Sequence, residues 1–277
     1  MSVVVRYPAP AKLNLFLHVV GRRDDGYHLL QTAFTFIDRP DFLSFAPRRD
    51  GEIVRVAGPS EIIADDDLCV RAARLLQSIT KTRFGVSIEL EKHLPLGAGL
   101  GGGSSDAATT LIVLNRLWDL DLSRTELQEI GLDLGADVPV FIFGRSAFAE
   151  GIGEKFAPIE VAKAWYVVLT PAVHVPTKGI FSDAELTRDS IPIKISDFSS
   201  AELRNDLESV ATRRFPEIGH NLQWLNKYAA ARMTGSGSAV FAAFSSQEGA
   251  ENVYSALPGT MKGFFAEGWS VHPLAGF

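Results

Sequence analysis

The stretch Pro95-Leu96-Gly97-Ala98-Gly99-Leu100-Gly101-Gly102-Gly103-Ser104-Ser105 packs five glycines into eleven residues. Backbone without side chains approaches a polyphosphate closely and turns several N–H groups toward it. Behind it Ala107, Ala108, Leu111, Leu114 and Trp118 recur at helical spacing. The loop therefore opens onto a helix N-terminus, which adds about half a positive charge at the same spot. The result is an anion cradle, with the Ser104 and Ser105 hydroxyls on hand for phosphate oxygens or a magnesium ion. A flexible linker is the plain alternative, but linkers are seldom framed by an amphipathic strand and an amphipathic helix. A Walker A loop is excluded because no Lys follows the glycines. Gly97-x-Gly99-x-x-Gly102 formally matches the dinucleotide fingerprint, yet no acidic residue closes a second strand about 20 residues on, so the match is weak.

Two further residues carry possible chemistry. Asp137 lies in Leu134-Gly135-Ala136-Asp137-Val138-Pro139-Val140-Phe141, a carboxylate among apolar residues. Such a setting, with a cation close by, tunes a carboxylate as a general base. Capping a turn or helix is an equal alternative for it. Lys12 is the obvious candidate cation, although a strand Lys is more often simply solvated. Thr234-Gly235-Ser236-Gly237-Ser238 is a second small-residue loop, either packed on a ligand or only a tight turn. The six His residues show no i, i+4 pair and no Cys companions, which argues against a zinc site, and Cys69 reads as a small buried hydrophobe.

These groups need elements to position them. Leu13, Leu15, Leu17 and Val19 alternate with Lys12, Asn14, Phe16 and His18, the period of a half-buried strand with Lys12 and Asn14 on its second face. The turn Gly21–Gly26 and the aromatic and Thr-rich run to Ile37 complete a hairpin. A strand over 53–56 precedes Asp65-Asp66-Asp67, which cap a helix from about Leu68 to Ile79. Phe84, Val86, Ile88 and Leu90 form an amphipathic strand just before the glycine loop. Ser123 with Glu126 makes a capping box for a helix that stops near Gly135. Farther on, strands are expected over 165–169, 239–244 and 268–271, and helices over 202–211, 216–227 and 247–256. Helices and strands interleave without a strict βαβ rhythm, so each half is expected to be α+β, with a soft boundary in the stretch 149–156.

Composition bounds the rest. At about 150 residues per domain, 277 residues favour two domains. A content of 46% hydrophobic and 22% charged residues is that of a globular protein. The net charge of -6, with no basic cluster, opposes a sequence-independent hold on nucleic acid. A single Cys suits a reducing compartment. The N-terminus has no leader-like pattern, and no apolar run approaches a membrane span. A soluble cytoplasmic protein is expected; its oligomeric state stays open.

Taken in order, Pro8-Ala9-Pro10-Ala11-Lys12-Leu13-Asn14-Leu15, the run Pro95 to Ala108 and Met233-Thr234-Gly235-Ser236-Gly237 resemble the three signatures of the GHMP kinase superfamily. Gly26-Tyr27-His28-x-Leu30-Gln31-Thr32, Gly135-Ala136-Asp137-Val138-Pro139 and Asn205-Asp206-Leu207-Glu208 are similar to the branch that phosphorylates the 2-hydroxyl of 4-diphosphocytidyl-2-C-methyl-D-erythritol on the methylerythritol phosphate route to isoprenoids. The resemblance implies a two-domain α+β GHMP kinase fold, residues 1–152 and 153–277, with the active site in the cleft between the domains. ATP and Mg2+ are the implied cofactors and the cytidyl compound the implied small-molecule substrate. By the same resemblance, Pro95 to Ser105 hold the ATP phosphates, Asp137 is the base and Lys12 stabilises Asp137 and developing phosphate charge. Asn14 sits beside them. Tyr27 and Phe181 stack the cytosine, His28 reads its edge and Thr177 lies nearby. No residue is singled out as a metal ligand. A sibling kinase of mevalonate, homoserine or a sugar, and a nucleotide-binding module without chemistry, are the competing readings.

Overall fold

The computed structural model describes residues 5–198 and 203–277. The chain opens with a long hairpin, β1 (Tyr7–Arg22) and β2 (His28–Arg48), followed by β3 (Ile53–Ala57), α1 (Leu68–Thr80), β4 (Gly85–Glu91), α2 (Gly102–Leu117), α3 (Arg124–Leu132) and α4 (Val138–Phe143). A second hairpin, β5 (Ala147–Glu150) and β6 (Lys155–Pro158), precedes β7 (Trp165–Leu169), α5 (Thr177–Phe181), α6 (Glu208–Arg214), α7 (Pro216–Leu225), β8 (Ala231–Met233), β9 (Val240–Phe244), α8 (Gln247–Ser255) and β10 (Gly263–Trp269).

β2 is the hub of the sheet. It pairs antiparallel with β1 along most of its length, with β4 from Phe42 to Arg48 and with β5 from Thr32 to Phe34. Two more pairings, Ile37 with Gly268 and Phe36 with Trp269, join it to β10. The C-terminal strands β10, β7, β9 and β8 are thereby continuous with the N-terminal ones. One apolar core lies where α1 to α4 pack on the sheet, a second where α6 to α8 pack on β7 and β9. A third, with Ala11, Leu13, Phe16, Ala98 and Leu100, fills the space between them.

Local signals fix the helix ends. Asp67 accepts from the Cys69 amide at 2.8 Å and starts α1, as its acidic run predicts. Ser123 and Glu126 form the expected capping box of α3. Three expectations need correction. β1 is not half-buried: it is covered on both faces from Ala9 to Val19, because the glycine loop and the 234–238 loop close over its second face. The helix expected over 202–211 begins at Glu208 (Glu202 lies outside the described residues). Asn205 forms a bridge to Leu17 instead, since the Leu17 amide donates to Arg204 O and the Asp206 amide to Leu17 O. The last strand runs over Gly263–Trp269, not 268–271, because its register partner is β7.

Candidate active site

Lys12 and Asn14 occupy β1 opposite Phe36 and Phe34 of β2. The ladder skips Leu15 between Asn14 and Phe16, a local bulge of the kind that re-aims side chains at sites. Lys12 is only 1% exposed, far from the solvated strand lysine that its residue type suggests. Its amide donates to Leu100 O at 2.9 Å, tying the strand to the glycine loop. Its Nζ donates to Asn14 Oδ1 at 2.5 Å and lies 3.2 Å from Asp137 Oδ2. Asn14 is itself held by Thr32, whose Oγ1 accepts from Asn14 Nδ2 at 3.0 Å, and by Thr234, whose Oγ1 accepts from the Asn14 amide at 2.9 Å.

Asp137 sits at the N-cap of α4, but its side chain makes no capping hydrogen bond. The carboxylate is directed instead to Lys12, in the wall of a cleft of about 1010 Å³. Of the glycine-loop residues, Gly97, Gly99 and Ser104 line this cleft. Gly101 is the N-cap of α2, so the amides of Gly102, Gly103 and Ser104 start the helix without intrahelical acceptors. Leu100 and Ala98 sink into the central core and anchor the loop, while Pro95 and Leu96 face solvent. Ser105 does not line the cleft: its hydroxyl is buried within the protein with no hydrogen-bond partner.

Two glycines are required by close approach. A Cβ on Gly99 would stand 2.4 Å from Thr234 O, and one on Gly101 2.9 Å from the Phe141 ring and 3.0 Å from Lys12 Cγ. The 234–238 loop is therefore more than a tight turn. It packs on the glycine loop, and Gly235, Ser236 and Gly237 line the same cleft. Asn205 secures it, its Nδ2 donating to both Met233 O and Gly235 O at 2.8 Å.

Tyr27, His28, Thr177 and Phe181 also line the wall of this cleft. Tyr27 is 62% exposed. Phe181 packs on His28, ring centroids 5.1 Å apart, and Thr177 Oγ1 is 2.8 Å from Ser236 Oγ. The cleft thus brings Lys12, Asn14, Asp137 and part of the glycine loop together with the aromatic pocket.

Among the described residues no group of three or more His, Cys, Asp or Glu side chains is placed to hold a metal. Among the described lining residues, Ser104 in the first turn of α2 and Asp137 at the N-cap of α4 carry side-chain oxygens. This sparse oxygen set fits a magnesium ion bound largely through phosphate oxygens and water.

A GHMP kinase N-terminal domain model matches residues 67–145, and a GHMP kinase C-terminal model matches residues 186–263. A 4-diphosphocytidyl-2-C-methyl-D-erythritol kinase of Thiobacillus denitrificans is 58% identical over 271 residues, covering 98% of each chain. One of Ralstonia pickettii is 57% identical over 276 residues, covering 98% of this chain and 96% of its own. The chain belongs to the 4-diphosphocytidyl-2-C-methyl-D-erythritol kinase family of GHMP kinases. A crystal structure of a 4-(cytidine 5'-diphospho)-2C-methyl-D-erythritol kinase superposes on this kinase with a TM-score of 0.82 at 33% identity, covering 95% of this chain and 99% of that one. The mevalonate kinase of Methanococcus jannaschii, at 14% identity and a TM-score of 0.69 over 96% of this chain and 98% of its own, shares the fold.

Several further residues line the cleft of this GHMP kinase without a motif to mark them. Arg22 and Lys178 add positive side chains to the wall, and His174 an imidazole. Arg22 adjoins the Gly26-Tyr27-His28 segment, so its place in the turn was a usable signal. Thr32 and Thr234 act through hydrogen bonds that only the folded chain reveals.

Proposed function

We propose that this kinase transfers the γ-phosphoryl group of ATP to the 2-hydroxyl of 4-diphosphocytidyl-2-C-methyl-D-erythritol, on the methylerythritol phosphate route to isoprenoid precursors. The observation that carries the reading is the Lys12–Asp137 pair at 3.2 Å, in a cleft lined both by Gly97, Gly99 and Ser104 of the glycine loop and by Tyr27, His28 and Phe181. The close relatives' shared name supports the choice of substrate.

Phosphoryl transfer asks a protein mainly for positioning and charge neutralisation. The amides of the glycine loop and of the start of α2 hold the phosphates. Asp137 accepts the proton as the 2-hydroxyl oxygen bonds to the γ-phosphorus and the bond from that phosphorus to the β–γ bridging oxygen breaks, releasing ADP. Lys12, pinned by Asn14, places its Nζ beside the carboxylate and the transferring group. Mg2+ would be held by the Ser104 hydroxyl with phosphate oxygens and water, and would supply neutralisation of the phosphate charge. Tyr27 and Phe181 offer faces to the cytosine, and His28 its edge contact.

We further read residues 1–152 and 153–277 as the two domains of the cleft, and the protein as a cytoplasmic enzyme. Among the described residues no helix is long and apolar enough to cross a membrane. A coupled ADP-release assay comparing the cytidyl substrate with mevalonate and homoserine tests the proposal. Strong preference for the cytidyl compound is expected; turnover without that preference overturns it.

A further inference from the structure

We infer that Arg188 is a positioning residue of the base-reading pocket, which sets the tautomer of His28 and holds Phe181 against it. The inference rests on the reading of His28 and Phe181 as the cytosine contacts. Arg188 lies 160 residues from His28 in the chain, and its Nε donates to His28 Nε2 at 3.1 Å. A guanidinium can only donate, so Nε2 must be the unprotonated nitrogen of a neutral imidazole. The proton then sits on Nδ1, and Nδ1–H is the ring's remaining hydrogen-bonding group. The same guanidinium donates through Nη2 to Phe181 O at 3.1 Å and to Asp183 O at 2.6 Å, and through Nη1 to Leu186 O at 3.0 Å. One side chain thus bridges the hairpin segment carrying His28 and the end of α5 carrying Phe181, whose rings lie 5.1 Å apart at 34°.

The charged groups facing the ring are Arg188, from the loop after α5, and Arg22, from the end of β1; Asp25 of the hairpin turn lines the same cleft. Burial first, then Arg188 and Arg22, hold His28 below the usual histidine value. Protonation would place a hydrogen on Nε2, facing the Arg188 donor, so the contact and the neutral state support each other. A donor at Nδ1 suits the acceptor edge of a pyrimidine, N3 and O2 of cytosine, and disfavours a base with a donor at N3.

The test is nitrogen NMR of the His28 imidazole in the full-length enzyme, combined with kinetics of Arg188→Met and Arg188→Lys. The wild type is expected to show the Nδ1-protonated ring. Arg188→Met should raise the fraction of the Nε2-protonated form and move the His28 titration to higher pH. It should also raise KM for the cytidyl substrate about tenfold, the worth of the one hydrogen bond from His28 to the base, with kcat and KM for ATP nearly unchanged. Arg188→Lys keeps the charge without the fork, so it should retain part of the pH effect and lose the tautomer bias. An Nε2-protonated ring in the wild type overturns the inference, and that measurement needs no variant to fold. An unchanged His28 tautomer and titration in a folded Arg188→Met enzyme overturns it too. If the tautomer shifts while KM for the cytidyl substrate does not, Arg188 positions His28 as inferred and the base-reading role of His28 falls instead.

Discussion

Lys12 and Asp137 meet at 3.2 Å with opposite exposures: the Lys12 side chain is 2% exposed and that of Asp137 39%. The cation is locked inside the protein by Asn14, whereas the carboxylate stands in the cleft where a substrate hydroxyl can reach it. A surface ion pair would contribute little. This one is half-built into the core, so its geometry is set before any ligand arrives.

Asp137→Asn keeps the shape and removes the proton acceptor. Turnover is expected to fall by roughly 10² to 10⁴, with KM for ATP little changed. Steady-state kinetics with the cytidyl substrate check this, and near-normal kcat in that variant would end the base assignment.

The glycine loop should respond to alanine in a position-specific way. At Gly99, with φ of +76° and Thr234 O 2.4 Å from a new Cβ, Ala is expected to cost about 2 kcal/mol or more and to raise KM for ATP. At Gly103 the nearest contact is the end of the Leu68 side chain at 3.3 Å, within a helix. Ala there is expected to change stability by less than about 1 kcal/mol. Thermal unfolding and ATP kinetics on both variants make the comparison, and equal effects at the two positions would refute it.

Beneath the loop, Lys92 Nζ bridges Asp41 and Asp106, each at 2.5 Å, and Asp41 also accepts from the His93 and Leu94 amides at 2.6 and 2.8 Å. Burial and the facing Asp41 carboxylate push Asp106 up despite the ammonium, and the two aspartates in turn hold Lys92 above its ordinary value. Lys92→Met leaves two buried carboxyl groups facing each other, which is expected to cost about 3 to 5 kcal/mol. Adding Asp106→Asn should recover part of that loss. Urea unfolding of the single and double variants measures it; additive losses would contradict the coupling.

His272 supplies a pH test. Its Nδ1 accepts from the Leu274 amide at 3.0 Å, and the ring sits edge-on to Phe36 and Phe141. Burial, then Arg124, pushes it down to about 3 from the ordinary 6.5. Between those values the unfolded chain binds a proton that the folded chain does not, so stability is full above 6.5 and falls as pH drops toward 3. At pH 5 the loss from this group is about 2 kcal/mol. His272→Gln should flatten the acid limb of urea midpoints compared between pH 7 and 5. An unaltered slope would mean that the ring is not buried neutral.

Much of this kinase was legible in its sequence because local physics decides local structure. Period-2 and helical spacing marked β1, β4, α1, α2 and most C-terminal elements, and Asp67 and Ser123 announced their helices as caps. The glycines marked a loop of close approach, and at Gly99 the fold uses it to pack backbone on Thr234. Short elements with no periodicity of their own, α4, α5, β5, β6 and β8, were not marked. Tertiary contact decided what spacing cannot encode. Lys12 became a buried cation because two loops close over its strand, and Asp137 gave up a capping bond to face it. Arg204 to Asp206 were drawn out of a helix by pairing with Leu17, and Arg188 meets His28 from 160 residues along the chain. The sequence by itself determined which groups the protein owns and the elements that carry them. Which group meets which was left to the fold, since burial and hydrogen bonds between distant residues exist only once the loops have closed.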